Sequence, residues 1–192
     1  MKCSARVFLL TLVSIILAST SLASAQIVAF GHSAARGHVA VNEMWSAVLE
    51  GMLRARGYQV QVINAGVNGE TTDRGLARLD SALPDGTKIV ILTYNGHNDS
   101  YMHGSLGPMS GSADAHTNIE AMRNKIRARG IRLIDAMGLY RSVLAQPGMA
   151  AADQIHLNAE GNRKFAAILM GMVLQGATRT SHNHSFSQHR DV

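Results

Sequence analysis

Four short stretches of this 192-residue chain gather side chains that could do covalent chemistry. They are Gly31-His32-Ser33, the run from Asn64 to Thr72 with Asn68-Gly69-Glu70 at its centre, Asn95-Gly96-His97-Asn98-Asp99, and Asp153-Gln154-Ile155-His156. A serine hydroxyl is a poor nucleophile until a base takes its proton. A histidine titrates near neutrality and can be that base. An aspartate three residues before it, on the same turn, can accept from the second ring nitrogen and fix the tautomer. Each residue also has a plainer use. Ser33 could cap a helix, Asp153 and Asn98 could shape turns, and Asn68-Gly69 is an ordinary turn signal. The four stretches taken together, in this order, are what point to a site.

The elements that must position them are set by periodicity. Residues 26–31 form a short apolar run ending in Gly, as a buried strand does. Residues 41–56 space Met44, Val48 and Met52 helically, with Gly57 as the stop. Residues 58–64 alternate as a strand. A helix is expected over 73–83, closed before Pro84, and the β-branched run 88–94 is the clearest strand. Residues 95–113, rich in Gly, Ser and Asn, read as a loop. A helix over 116–129, a strand over 131–135, a short helix over 139–145 and a last helix over 159–175 complete the pattern. Strands alternating with helices give right-handed crossovers and a parallel sheet covered on both faces. Ligands bind such sheets beyond the carboxyl ends of the strands. Three of the four stretches fall there, and the fourth immediately precedes the last helix.

The four stretches resemble the sequence blocks of the SGNH/GDSL hydrolases: a G-D-S-like nucleophile segment after the first strand, a Gly-bearing second block, a G-x-N-D third block and a D-x-x-H fifth block. The likeness runs from about residue 27 to residue 174. It implies an α/β fold, a three-layer α/β/α sandwich around a flavodoxin-like, mostly parallel sheet of four to five strands. It implies Ser33 as nucleophile, with Asp153 and His156 completing the triad. It further implies an oxyanion hole made of the backbone N–H groups of Ser33 and Gly69 and the Asn98 side chain. Gly69 suits that role, since a residue without Cβ lets backbone come close to substrate. The reaction implied is hydrolysis of small acyl esters or thioesters through an acyl-enzyme, with no cofactor. Two other readings stand beside it: a carbohydrate O-acetyl esterase, and a non-catalytic binding protein on a decayed hydrolase scaffold.

The chain departs from the family pattern in two places. His32 stands where the family usually has Asp, placing a side chain that could be a cation next to the nucleophile. The stretch from Asp99 to Asp153 shows one clear strand, so an edge strand or a substrate-binding loop is expected to be missing and the site to be shallow and open. His32 and His97 are expected at the pocket rim, with His38 and His103 in nearby loops. Asp99 is expected to shape its loop rather than to transfer protons, and Tyr94 and Trp45 to be core.

Composition bounds the rest. The chain is 46% hydrophobic and 16% charged, a globular balance with a net charge of +5. Residues 1–25 carry Lys2 and Arg6, an apolar stretch over 7–18 and Ala23-Ser24-Ala25, the organisation of a secretory signal cut after Ala25. Its removal would take away Cys3, the one cysteine, and leave an exported, periplasmic or secreted domain over 26–175 without disulfides. The apolar stretch is too short for a comfortable membrane span. The basic residues are scattered rather than interleaved with aromatics, so nucleic acid is not an expected partner. No H-E-x-x-H or C-x-x-C spacing occurs, and no metal is expected. Residues 176–192 are polar and aperiodic, as in a disordered tail; their His182, His184 and His189 could at most form a weak metal-binding tract.

Overall fold

The computed structural model describes residues 25–102 and 113–187, with side chains over 25–101 and 114–175. The proposed signal segment thus lies outside the described residues except for Ala25, which is the first residue of the first strand.

The strands are β1 (Ala25–Gly31), β2 (Val60–Gly66), β3 (Thr87–Thr93) and β4 (Arg132–Asp135). They form one sheet in the order β2-β1-β3-β4, and every pairing is parallel. The helices are α1 (Ser33–Arg36), α2 (Trp45–Arg54), α3 (Thr72–Ala82), α4 (His97–Met102), α5 (Ala113–Ala128), α6 (Met137–Leu144) and α7 (Ala159–Ser187). The four strands match the sequence reading, and no fifth occurs among the described residues.

Strand alternation divides the core into two layers. On β1, Ile27 and Ala29 face a cluster with Trp45 and Leu49 of α2, Tyr140 of α6, and Phe165 and Leu169 of α7. Val28 and Phe30 face the opposite cluster, with Leu79 of α3 and Met122 and Ile126 of α5. Side chains two apart on a strand share a face, so one central strand serves both layers. Trp45 and Phe30 are fully buried, and Tyr94 nearly so, as expected of core residues.

The strand order creates a switch point. From β1 the chain crosses one way to β2, then returns past β1 to β3 on its other side. A crevice opens beyond the carboxyl ends where crossovers diverge, here between the ends of β1 and β3. His32-Ser33 comes directly after the first and Asn95 after the second.

Three expectations need correction. Residues 95–113 do not begin as a loop, because α4 starts at His97. The Asn95 side chain accepts from the His97 N–H at 3.0 Å, so an Asn read as a loop former is in fact starting a helix. The helix expected over 41–56 is divided: a 3₁₀ turn covers Val41–Glu43, Met44 is extended, and α2 begins at Trp45. The last helix does not stop at Gln175 but runs to Ser187. A single Gly, such as Gly176, costs a helix only about 1 kcal/mol, and no Pro comes after it to end the helix. Residues 188–192 lie outside the described residues. No helix among the described residues is long and apolar enough to cross a membrane.

Candidate active site

Ser33 is the first residue of α1, immediately beyond β1. Its position is set from beneath. Gly31 passes so close to β3 that a Cβ there would lie 2.3 Å from Thr93 Oγ1 and 2.9 Å from its carbonyl oxygen. The Trp45 indole donates to the Ala34 carbonyl at 2.8 Å. The Asn64 amide donates to the Ala35 carbonyl at 3.0 Å and to Ser46 Oγ at 3.1 Å. The single turn bearing Ser33 is therefore tied to β2, β3 and α2.

His32 is buried, with 5% of its surface exposed. Its Nδ1 accepts from the Ala34 N–H at 3.2 Å, which caps α1. That fixes the proton on Nε2, which donates to Asn95 Oδ1 at 3.0 Å. This bond closes the switch point from the β1 side to the β3 side. Burial pushes the ring pKa down to about 4, against the opposing effect of the Asn95 bond. The expected cation beside the nucleophile is thus a neutral ring, and its task is capping. His32 and His97 both border the cavity at Ser33.

Asp153 and His156 come from the loop before α7. His156 Nε2 lies 2.8 Å from Ser33 Oγ, and its Nδ1 lies 2.6 Å from Asp153 Oδ2. An ionised carboxylate only accepts, so Nδ1 carries the proton and Nε2 is left to accept from the Ser33 hydroxyl. The other carboxylate oxygen, Oδ1, accepts from the backbone N–H groups of Ile155 and His156 at 2.9 and 3.0 Å. Burial opposes ionisation of Asp153. The ring and backbone donors outweigh it and hold the carboxyl well below the usual carboxylate range. The loop is pinned from outside by the Tyr140 hydroxyl, which accepts from the Leu157 N–H at 3.1 Å. Gln154 is a non-glycine residue in the left-handed region, with φ 56°. Such strain persists only where surroundings enforce it. Here it turns the chain within one residue, so that Asp153 and His156 face each other.

His32 Nδ1 is a second imidazole nitrogen near Ser33 Oγ, at 3.3 Å. Its lone pair is already taken by the Ala34 N–H, which leaves His156 Nε2 as the acceptor for the Ser33 hydroxyl. One face of the His156 ring is covered by His38, stacked with centroids 3.7 Å apart and planes 22° from parallel. Burial, aided by neighbouring His156, lowers the His38 pKa and favours its neutral form. The sequence places His38 in a nearby loop at the pocket rim; nothing in local spacing reveals a stack between residues so far apart in the chain. His103 lies outside the described residues.

Gly69 and Asn98 border one cleft together with His97 and Tyr101, and His97 also borders the Ser33 cavity. Gly69 has φ 69°, and a Cβ built there would meet no other atom. The left-handed backbone is what calls for glycine at this point. The Asn98 amide spends one N–H on the Glu70 carbonyl at 2.9 Å, holding the Gly69-Glu70 segment against α4. An amide nitrogen has a second hydrogen to offer. Asp99 accepts from the Thr72 N–H at 3.1 Å and from its hydroxyl at 2.5 Å. It anchors the start of α3, a loop-shaping role.

Beneath these groups lies a network that sequence reasoning missed. The buried Glu70 carboxylate accepts from Arg78 Nε at 2.7 Å, from Arg78 Nη2 at 2.6 Å and from the Tyr94 hydroxyl. Arg78 stacks over Phe30 at 4.5 Å and reaches the Gly31 carbonyl at 3.4 Å. One available signal was Gly75 inside α3: a Cβ there would sit 2.3 Å from the Tyr94 hydroxyl.

Comparison with known proteins identifies the family of the chain. The sequence profile of the GDSL-like Lipase/Acylhydrolase family matches residues 29–149, more than half of the chain. The chain is 31% identical over 90 residues to Esterase TesA of Pseudomonas aeruginosa, covering 47% of this chain and 42% of that protein. It is 36% identical over 84 residues to an Arylesterase of Vibrio mimicus, covering 43% and 42%. The match thus spans less than half the length of either curated relative. Among solved structures, that of TesA superposes with a TM-score of 0.59 at 22% identity, covering 74% of this chain and 94% of that one. The esterase EstA from Pseudoalteromonas sp. gives 0.62 at 17% identity, covering 80% and 98%. These likenesses show a shared fold.

Proposed function

Because the chain belongs to the GDSL-like lipase/acylhydrolase family, we infer that it is a serine esterase in which Ser33 is the nucleophile and His156 and Asp153 are its relay. The observation that carries this reading is the continuous bridge from Ser33 Oγ to His156 Nε2 at 2.8 Å and from His156 Nδ1 to Asp153 Oδ2 at 2.6 Å.

As Ser33 Oγ bonds to the acyl carbon, its proton passes to His156 Nε2, and Asp153, already ionised, stabilises the imidazolium. The carbonyl oxygen becomes an oxyanion. The backbone N–H groups of Ser33 and Gly69 and the second N–H of Asn98 serve as its donors, each worth about 10²–10³ in turnover. Collapse breaks the ester bond, and the departing alkoxide takes the proton from His156. Water then repeats the sequence on the acyl-serine.

The cavity holding Ser33 and His156 has a volume of about 110 Å³, lined on its apolar side by Met137, Tyr140, Leu144 and Ile155. That is well below the roughly 300–1,000 Å³ of sites for drug-sized ligands. It suits a short acyl group, acetyl to butyryl, rather than a long buried chain. Residues 1–25 as a signal peptide would place the enzyme outside the cytoplasm, where the acetyl group of a polysaccharide is one such ester; an acetyl xylan esterase shares the fold with a TM-score of 0.52 at 18% identity.

Ser33→Ala should abolish hydrolysis of p-nitrophenyl acetate and butyrate. Turnover of neither ester by the wild-type protein would overturn the reading. Release of acetate from acetylated xylan, against none from p-nitrophenyl butyrate, would narrow it to carbohydrate deacetylation.

A further inference from the structure

Arg141 stands out among the arginines. It projects from the second turn of α6, is partly buried, and borders three recesses at once. One is the cavity of Ser33 and His156. The second is a polar cleft of about 320 Å³ shared with Asn95, Gly96, His116 and Arg123. The third is a shallow cleft toward Pro147. Its Nε is buried without a hydrogen-bond partner.

Other partly buried arginines are satisfied. Arg78 holds Glu70, Arg123 holds Glu120 and Asp135, and Arg132 donates to the Met172 and Val173 carbonyls. Of the chain's 13 Asp and Glu residues, all but Asp191 lie among the described residues. None of these forms an ion pair with Arg141. The carboxylate nearest in function, Asp135, borders the same polar cleft but is held by Arg123 Nε at 2.7 Å and by Nη2. The Asp153 carboxylate is occupied by its own loop.

A guanidinium has five donors and no acceptor, in a planar fork that fits a carboxylate or phosphate in two bonds. Buried donors in native proteins are satisfied as a rule, and an exception calls for an explanation. An arginine that lines the cavity of Ser33 and His156 and pairs with no carboxylate among the described residues is placed to take an anionic group of the substrate. We propose that Arg141 forms an anion subsite next to Ser33, so that the preferred ester carries a carboxylate or phosphate group within reach of that guanidinium. The proposal rests on Ser33 being the nucleophile and adds the charge class of the substrate. The anion can belong to the alcohol or to the acyl group, and the two are separable by experiment.

The test is steady-state kcat/KM for two matched pairs, each rate normalised to hydroxide-catalysed hydrolysis. 4-Acetoxybenzoate against 4-acetoxybenzamide puts the charge on the alcohol side. The p-nitrophenyl monoester of adipic acid against p-nitrophenyl hexanoate puts it on the acyl side. The wild-type enzyme should prefer the anionic member of at least one pair by about tenfold or more, the scale of a charge-assisted hydrogen bond. Arg141→Gln should bring that ratio close to one, and Arg141→Lys, which keeps the charge, should retain part of it. No preference in either pair, or a preference that Arg141→Gln leaves intact, overturns the anion subsite while leaving the esterase reading in place. Turnover of neither member of either pair overturns both.

Discussion

Ser33 and His156 meet from supports of opposite character. The serine arm is held from below by buried and partly buried side chains: His32 bonded to Asn95, Trp45 to Ala34, and Arg78 reaching the Gly31 carbonyl. The relay arm is a surface loop organised by its own backbone. Asp153, with its side chain 42% exposed, is fixed by two N–H groups of the turn it belongs to, and Tyr140 anchors the far end. The first arm is rigid because much of the fold passes through it. The second is accurate because a short loop with one strained residue has few ways to be built. Damage to the first should therefore appear as lost stability, and damage to the second as lost catalysis in a folded protein.

The largest effect expected is on the relay. His156→Ala should lower kcat by about 10⁴–10⁶-fold, as for other triads that act as a unit, with the thermal midpoint nearly unchanged. A comparable loss of both would erase the distinction between the arms. On the serine side, Arg78→Met leaves the Glu70 carboxylate buried without its partner, which costs about 3–5 kcal/mol. Urea unfolding reads this directly; a change below about 1 kcal/mol would mean that the network is ornamental to the fold.

The third effect is one of pH. The folded-state pKa of His32 is lowered from 6.5 to about 4. Between those values the unfolded chain binds a proton that the folded one refuses, so stability from this group is full above about pH 6.5 and is lost as pH falls toward 4. The slope is at most about 1.4 kcal/mol per pH unit and the sum about 3 kcal/mol. Urea midpoints at pH 7, 5 and 4 should fall steeply for wild type and less so for His32→Asn. Equal slopes would show that His32 is not held neutral. The smallest effect is sought at His38. Losing its stack on His156 should reduce kcat by about two- to tenfold, the worth of an aromatic pair. His38→Phe should restore most of it and His38→Ala should not.

These two arms are unequally legible in the sequence. The contact of Asp153 with His156 is readable because the two lie three residues apart on one turn, and the strands are readable from alternation and β-branching. Ser33 is readable from its place directly beyond the end of a strand. The supports of the serine arm are not readable, because they join residues distant in sequence: His32 with Asn95, Glu70 with Arg78 and Tyr94. His32 looks like a cation because sequence shows residue type but not burial. The first turn of α4 is hidden because an Asn that favours loops is also a capping residue, and only the His97 N–H decides between the two. The end of α7 is hidden because a missing amphipathic period resembles a missing helix.

At the centre of this picture stands the proposed activation of Ser33 by His156 and Asp153 across the two arms. Labelling with a fluorophosphonate, located by peptide mass spectrometry, tests it most directly. One adduct per chain on Ser33 is predicted, absent in Ser33→Ala and slowed by about 10³-fold or more in His156→Ala. An adduct on another residue, or labelling of His156→Ala at the wild-type rate, would contradict it.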